Sequence, residues 1–324
     1  MDNDPASVVG ASPSGIAWQP AAVGLRRLDR RSDGWNSALL LSPAGLLLAA
    51  LFLAPVAYSV YLGLTNLQLI GPRSVNYHFT GMANLRMLFR DREFYRSIYL
   101  TLYFVVGSGA IGSTLVGLML ALLMQDAQPA LKAAVGGAVV LGTVLPPTTV
   151  AVIWQAVTAS GGVLPTLFGM GSGDLLYNAP MLVVSVANGW SLCGLSMLIF
   201  AAALRNVPPD MIEAAKLEQA GPLTRFRRIT LPVLRPTVIT SSLLMTLLSF
   251  GNFTLVFLMT GGGPAGATNI LPVYSYMQGF AFHRLSYGAL LGNVIILMAA
   301  GLGMLFMGLA HLSGSADRRG GSRA

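Results

Sequence analysis

Few side chains in this 324-residue sequence could make or break bonds. The single cysteine, Cys193, lies in an apolar segment and reads as a small buried hydrophobe. One cysteine supplies neither an intrachain disulfide framework nor a Cys-rich metal set. The three histidines, His78, His283 and His311, are far apart and show no metal-ligand spacing, so they read as loop or interfacial residues. An intramembrane enzyme would need a nucleophile–base pair or a metal set, and neither stands out. The remaining polar groups of interest are neutral: Asn188, Ser191, Ser196, Ser241, Ser242, Ser249, Asn252, Thr254 and Asn293, with Trp154, Trp190, Tyr274 and Tyr276. Amides, hydroxyls and aromatic faces suit an uncharged polyhydroxylated solute such as a sugar. The same groups serve equally well as polar contacts between packed helices.

The elements that must position these groups follow from composition. Hydrophobic residues make up 54% and charged residues 10%, against about 25% charged in an ordinary soluble domain. The mean hydropathy is +0.66. A disordered chain is excluded, and a soluble enzyme of this length is disfavoured, because so apolar a chain has too little surface to offer water. Cutting the sequence at its charges leaves Gly34–Pro72, Ser97–Gln125, Ala133–Gly173, Leu175–Leu204, Pro236–Phe282 and Leu285–Ala316. Each can hold a spanning helix of about 20 residues. Trimmed at turn residues, the expected spans are 38–64, 98–124, 133–158, 179–204, 237–260 and 286–311. A membrane β-barrel would show alternating segments of about ten residues, which are absent. The fold class is therefore an all-α membrane protein with six transmembrane helices. Pro146-Pro147 should kink or break the third.

The net charge of +8 suggests nucleic acid until the basic residues are placed. With the N-terminus inside, the inner segments hold Arg26, Arg27, Arg30, Arg31, Lys132, Arg205, Lys216, Arg225, Arg227, Arg228, Arg235, Arg318, Arg319 and Arg323. The outer ones hold Arg73, Arg86, Arg90, Arg92, Arg96 and Arg284. This bias puts both termini in the cytoplasm. The outer exceptions crowd the 66–97 connection, which reads as a small folded external element. Residues 1–36 read as a poorly ordered cytoplasmic tail, 37–313 as the membrane domain, and 314–324 as a second cytoplasmic tail. The apolar run after residue 36 is too long for a cleaved signal, so an uncleaved first helix is expected.

No expected span carries Asp, Glu, Lys, Arg or a central His. Proton relays and voltage sensors need such groups. A proton-coupled carrier working on membrane carboxylates is disfavoured, whereas sodium coupling through backbone carbonyls stays open. Gly288 and Gly292 form a G-x-x-x-G, and Gly107, Gly109, Gly112 and Gly117 stud the second span, which reads as close packing within one bundle.

The inner loop 205–236 is the most informative stretch. Pro208-Pro209-Asp210 signals a helix start, with Asp210 as the expected cap of a short helix running to about Gln219. Gly221-Pro222 should turn the chain. Thr224 should cap a second short helix that ends before Leu231-Pro232. Such a cytosolic helix pair has the shape of a docking element. A structured loop at the membrane surface is the plainer reading.

Glu213-Ala214-Ala215, followed by Ile229, Leu231 and Pro232, resembles the EAA loop of ATP-binding-cassette importer permeases, E-A-A-x3-G-x9-I-x-L-P. The motif glycine falls on Gln219, with Ala220 and Gly221 following, so the loop is expected to turn slightly later. Pro55–Ser59, the run Phe79-Thr80-Gly81-Met82-Ala83-Asn84-Leu85 with Phe94, Pro146-Pro147 with Trp154, Trp190 with Gly194 and Met197, Asn252–Leu255, Thr260–Pro264 and Leu271–Tyr274 also match in order. Together they resemble the first permease subunit of carbohydrate importers of the maltose and glycerol-3-phosphate type, over nearly the whole chain after residue 36.

The resemblance implies a type I importer (MetI-like) bundle in a bacterial inner membrane and a non-catalytic chain. It implies a second homologous permease, two cytosolic ATPase subunits that bind ATP and magnesium, and an external solute-binding protein or lipoprotein. Glu213, Ala214, Ala215, Ala220, Gly221, Ile229, Leu231 and Pro232 would couple to the ATPases. Matching the maltose-type pattern, Trp190, Leu192, Leu195, Met245, Leu248, Ser249 and Asn252 would contact solute. The expected solute is a neutral sugar, a disaccharide such as trehalose or maltose or an oligosaccharide. The alternatives are a glycerol-3-phosphate or glycerophosphodiester importer and an ion-coupled secondary carrier.

Overall fold

The computed structural model of the chain describes residues 32–169 and 173–320. Residues 1–31 of the expected N-terminal tail lie outside the described residues. The described residues are helical apart from connections and one isolated antiparallel bridge, Thr65 to Phe79. Six helical stretches are long and apolar enough to cross a membrane: Leu39–Gly63, Arg92–Gln125, Pro147–Leu167, Pro180–Leu204, Pro222–Gly251 and Leu285–His311.

The chain divides into two units, Met1–Ala54 and Pro55–Ala324. The first contributes the helix Ser32–Leu48 and a wide turn, Ala49–Leu53. The helix thus starts inside the stretch expected to be a tail. Pro43 cannot donate to Leu39 one turn earlier, and the Ser42 hydroxyl takes up that carbonyl at 2.8 Å. The leucines from Leu39 to Leu53 are all exposed within this unit. An apolar surface this complete requires lipid or protein around it.

The second unit begins by completing the first span at Gly63. A connecting segment follows, pinned by Asn84, whose side-chain amide donates to the carbonyls of Gly63 at 2.8 Å and Thr65 at 2.7 Å. Asp91 caps the second span by accepting from Glu93 N–H at 3.0 Å. That span widens into a π-helical stretch, Tyr103–Ser113, where Gly107, Gly109 and Gly112 lower the cost of irregular backbone. Gly109 also permits close packing, since a Cβ there would lie 2.8 Å from the Met245 carbonyl on the fifth span.

Pro146-Pro147 breaks the expected third span outright. The stretch divides into Pro129–Val144 and Pro147–Thr158, with Leu145 and Pro146 extended between them. The membrane-length element therefore lies later than expected, at Pro147–Leu167. The fifth span departs more. The expected second coupling helix does not end before Leu231-Pro232. Its helix starts at Pro222, capped by Gly221 rather than Thr224, and continues to Gly251. A π turn at Phe226–Thr230 directly before Leu231-Pro232 absorbs the donor that Pro232 lacks. At the other end the helix stops at Asn252 and restarts as Phe253–Thr260. The last helix runs Leu285–Gly320, beyond the expected boundary at 311, because no proline follows to stop it.

Buried residues gather in three apolar clusters. One joins Phe104, Val150, Val184, Leu255 and Val273. A second joins Leu88, Phe94, Leu271 and Leu291, and the third Leu118, Met197, Phe200 and Leu234. The second and fourth spans pass through the middle of this packing, which places their polar side chains inside the unit.

Candidate functional site

In the 205–236 loop, Pro208 is the N-cap of the helix Pro209–Leu217. Asp210 is thus not the cap. It sits in the first turn, where a carboxylate still favours the positive end of the helix. The C-terminus closes with Ala220 N–H on Ala215 O at 2.9 Å and Gln219 N–H on Lys216 O at 3.0 Å. This paired closure requires a left-handed residue between cap and exit. Gln219 is that residue, at φ +56°. The chain therefore turns at the position of the motif glycine and not later. Gly221 has an ordinary φ of −65°.

Glu213, Ala214, Leu231 and Pro232 are exposed, and Ala215, Ala220 and Ile229 are half-buried. Leu217 is 86% exposed and Leu223 68%, flanking the turn with bare apolar surface. Glu213 and Lys216 face a cavity of about 480 Å³ shared with Gln125, Asp126, Arg225 and Phe226. The loop thus rests against the end of the second span and projects its turn outward.

Within the bundle, Asn188 is fully buried and gathers three spans. Its amide donates to Ser108 Oγ at 2.7 Å and to Ser249 Oγ at 2.9 Å. Its oxygen accepts from Asn252 Nδ2 at 2.7 Å. Ser249 in turn donates to Met245 O at 2.8 Å, the bond to the turn before it. Two of the expected solute contacts, Ser249 and Asn252, are therefore brought together by Asn188. The buried Asn252 Oδ1 is left without a protein partner. Met245 is fully buried, while Leu192 and Leu195 are half-buried and Leu248 is exposed.

Trp190 is 42% exposed, its ring meets that of Trp154 edge-to-face with centroids 6.3 Å apart, and it shares one cavity with Ser108 of that network. It lines a cavity of about 430 Å³ between the second and fourth spans, with Tyr103, Gly107, Gly112, Ser185 and Gly189. Leu192, Leu195, Met245, Leu248, Ser249 and Asn252 do not line it. The glycines leave backbone as its wall, and Ser185 Oγ is buried there without a partner. Tyr103, Ser108 and Ser185 were missing from the sequence-derived set. The glycine studs of the second span were the only hint of a recess beside them.

Tyr274 serves as a polar packing contact between helices. It lies on the helix Leu271–Tyr276, and its hydroxyl donates to Asp91 Oδ2. Tyr287 donates to the same oxygen at 2.6 Å. Burial alone would raise the Asp91 pKa. The two tyrosines and the Glu93 and Phe94 amides outweigh it and hold the carboxyl below its usual value. Among the described residues there is no group of three His, Cys, Asp or Glu able to hold a metal.

The family model of the binding-protein-dependent transport system inner membrane component matches residues 113–314. The sn-glycerol-3-phosphate transport system permease protein UgpA of Yersinia pestis bv. Antiqua is 30% identical over 282 residues, 84% of this chain and 92% of its own. A probable ABC transporter permease of Pyrococcus horikoshii is 29% identical over 81% of this chain and 90% of its own. The sulfoquinovosyl glycerol transport system permease protein SmoG of Agrobacterium fabrum is 28% identical over 82% of this chain and 87% of its own. In fold, the chain is similar to a chain of a bacterial alginate ABC transporter solved with an alginate pentasaccharide-bound periplasmic protein. The TM-score is 0.68 at 18% identity, over 91% of this chain and 98% of that one.

Proposed function

Because the chain belongs to the family of binding-protein-dependent transport system inner membrane components, we propose that it forms half of the pathway of an ATP-driven importer of a neutral sugar. The carrying observation is the neutral network of Asn188, Ser108, Ser249 and Asn252, whose hydrogen bonds run only between uncharged groups. A polyhydroxylated solute exchanges hydrogen bonds with amides and hydroxyls and needs no counter-ion. Trp190 and Tyr103, on the cavity wall, offer aromatic faces for sugar rings. The chain performs no chemistry. ATP and magnesium belong to two cytosolic ATPase subunits. A second, homologous permease completes the pathway, and an external binding protein delivers solute. Both termini face the cytoplasm.

Glu213, Ala214 and Ala215, with Ile229, Leu231 and Pro232, seat the turn in an ATPase groove. Leu217 and Leu223 supply the apolar contact there. Because the helix that starts at Pro222, just after the turn, runs on as the fifth span to Gly251, movement of the groove is transmitted along it to Ser249 and to the break at Asn252. Closure of the ATPases biases the bundle between inward- and outward-facing states.

A second reading has a specific basis: UgpA is named for sn-glycerol-3-phosphate, and that relative is 30% identical to this chain. The test is uptake by proteoliposomes holding this chain with its sister permease, ATPases and binding protein. A neutral disaccharide should accumulate with ATP and persist with an ionophore, and glycerol-3-phosphate should not compete. Uptake of glycerol-3-phosphate alone selects the second reading. Uptake that survives ATP depletion but collapses with an ionophore overturns both. Glu213→Ala should leave ATP hydrolysis running while uptake falls.

A further inference from the structure

We propose that Arg73 and Arg284 form a site on the outer rim of the bundle for a phosphate-type oxyanion, the headgroup phosphate of a membrane lipid or a free phosphate. The two arginines line one cavity of about 290 Å³ with Gln68, Asn66, Asn84 and Tyr287. The backbone brings them together. Leu69 N–H donates to His283 O at 3.0 Å and Ser286 N–H to Leu67 O at 3.1 Å, so the 66–73 segment lies along the start of the last span. Thr65 and Ser286 close the junction with a hydroxyl pair at 2.8 Å.

The cavity holds positive charge with nothing to neutralise it. Among the described residues the one ion pair is Arg96 with Glu93, and neither lines this cavity. Asp91 is joined to the cavity wall through Tyr287, but its oxygens already accept from Tyr274, Tyr287 and the Glu93 amide. The Asn84 amide is spent on Gly63 and Thr65 carbonyls. That leaves two guanidinium forks and the Gln68 amide as free donors. Paired forks match the oxygens of a phosphate better than any neutral ligand.

Location points to lipid as the source. Arg284 stands immediately before the last span and Gly63 ends the first, so the cavity sits where spans leave the bilayer. Ile70 is 61% exposed and Phe282 58%, which gives the arginines apolar neighbours suited to the interface. Basic pockets between helix ends are suited to lipid headgroups. Which leaflet is involved rests on the orientation proposed above; the site itself does not.

The test uses the full chain with its partner subunits, purified and delipidated in neutral detergent. Native mass spectrometry follows retention of added phosphatidylglycerol, with a neutral diacylglycerol as control, and inorganic phosphate is titrated as competitor. Wild type should retain phosphatidylglycerol and not diacylglycerol. R73Q/R284Q should lower retention at least tenfold, R73K/R284K should recover most of it, and a thermal-melting control should show both variants folded. Displacement by millimolar phosphate alone, with no lipid preference, assigns the site to a free anion. Equal retention of phosphatidylglycerol by wild type and R73Q/R284Q, together with no phosphate effect, overturns the proposal. Uptake assays are not involved, so failure here is separate from failure of the transport reading.

Discussion

The side-chain amide of Asn252 donates to the side-chain oxygen of Asn188 at 2.7 Å, and this bond sits where the fifth helix stops and restarts. A helix interruption in lipid must have its freed polar groups answered by neighbours. Asn188 answers for the side chain and binds Ser108 and Ser249 with its other end. Asn188→Leu removes three hydrogen bonds, each worth about 0.6–1.7 kcal/mol between membrane helices. We expect a loss of about 2–5 kcal/mol in stability, and uptake should fall further than stability alone explains. Asn188→Gln, which keeps the amide, should recover part of it. Equal unfolding midpoints for Asn188→Leu and wild type in a detergent titration would contradict this.

Gln219 is held at a backbone angle that favours glycine. Gln219→Gly should stabilise the coupling turn by about 1 kcal/mol, since a left-handed residue with a side chain costs roughly that much. A β-branched residue at 219 should cost more. By contrast Gly221 already has a proline-compatible φ of −65°, and a Cβ there meets nothing within 4 Å. Gly221→Ala should therefore leave coupling unchanged. The ratio of solute moved to ATP hydrolysed, measured in proteoliposomes for Gln219→Val and Gly221→Ala, separates the two positions: it should fall for the first only. Matching losses at the two positions would refute the assignment of the turn.

Six spans were legible because charge is excluded from lipid, and the gaps between charges are wide enough to count. The double proline at 146–147 announced its break for the same local reason. The break at Asn252 carries no proline and only a Gly251-Asn252 pair, a weaker mark. What holds it is a tertiary contact, the Asn252 amide on Asn188, 64 residues away. The fate of Pro232 was misread in the opposite direction. A proline usually ends a helix, yet a π turn one step earlier carries this one through. Ser108 and Tyr103 were invisible as site residues because a lone serine or tyrosine in an apolar run looks like any other until a neighbour faces it. Glu213 is singled out only by the spacing of the motif around it.

Asp91 ties the second span to the helix Leu271–Tyr276 and the last span through one carboxylate. Its carboxyl titrates below the usual carboxylate range, because the Tyr274 and Tyr287 hydroxyls and the Glu93 and Phe94 amides outweigh the effect of burial. A depressed carboxylate contributes stability that is fully present above its unfolded pKa. The contribution is lost as pH falls through the lower folded value. The bundle should therefore be insensitive to this group from neutral pH to about pH 5 and weaken below about pH 4. Asp91→Asn should abolish that acid sensitivity while lowering stability at neutral pH by about 1–2 kcal/mol, the scale of a lost cap and charge-assisted bonds. Thermal melting of both proteins from pH 7 to pH 3 reads the difference. Parallel curves would show that the tyrosines do not depend on the charge.

Gly288 and Gly292 look equivalent as a G-x-x-x-G, and the structure makes them unequal. A Cβ on Gly288 would lie 2.7 Å from Gly279 Cα, 2.9 Å from Gly279 N and 3.0 Å from Ser275 O. All three are backbone atoms, so no side chain can rotate away. Ser275 Oγ also donates to Gly288 O at 2.9 Å, which fixes the approach. On Gly292 the nearest atom would be Ser275 Oγ at 4.0 Å. Gly288→Ala should therefore cost about 1–3 kcal/mol or more as an overpacked contact inside one chain. Gly292→Ala should be neutral or slightly stabilising, because alanine is the better helix former. A motif serving self-association would instead make the two substitutions equally damaging and shift the oligomeric state. Unfolding midpoints and light-scattering masses of the two variants in one detergent distinguish packing within the bundle from pairing between copies.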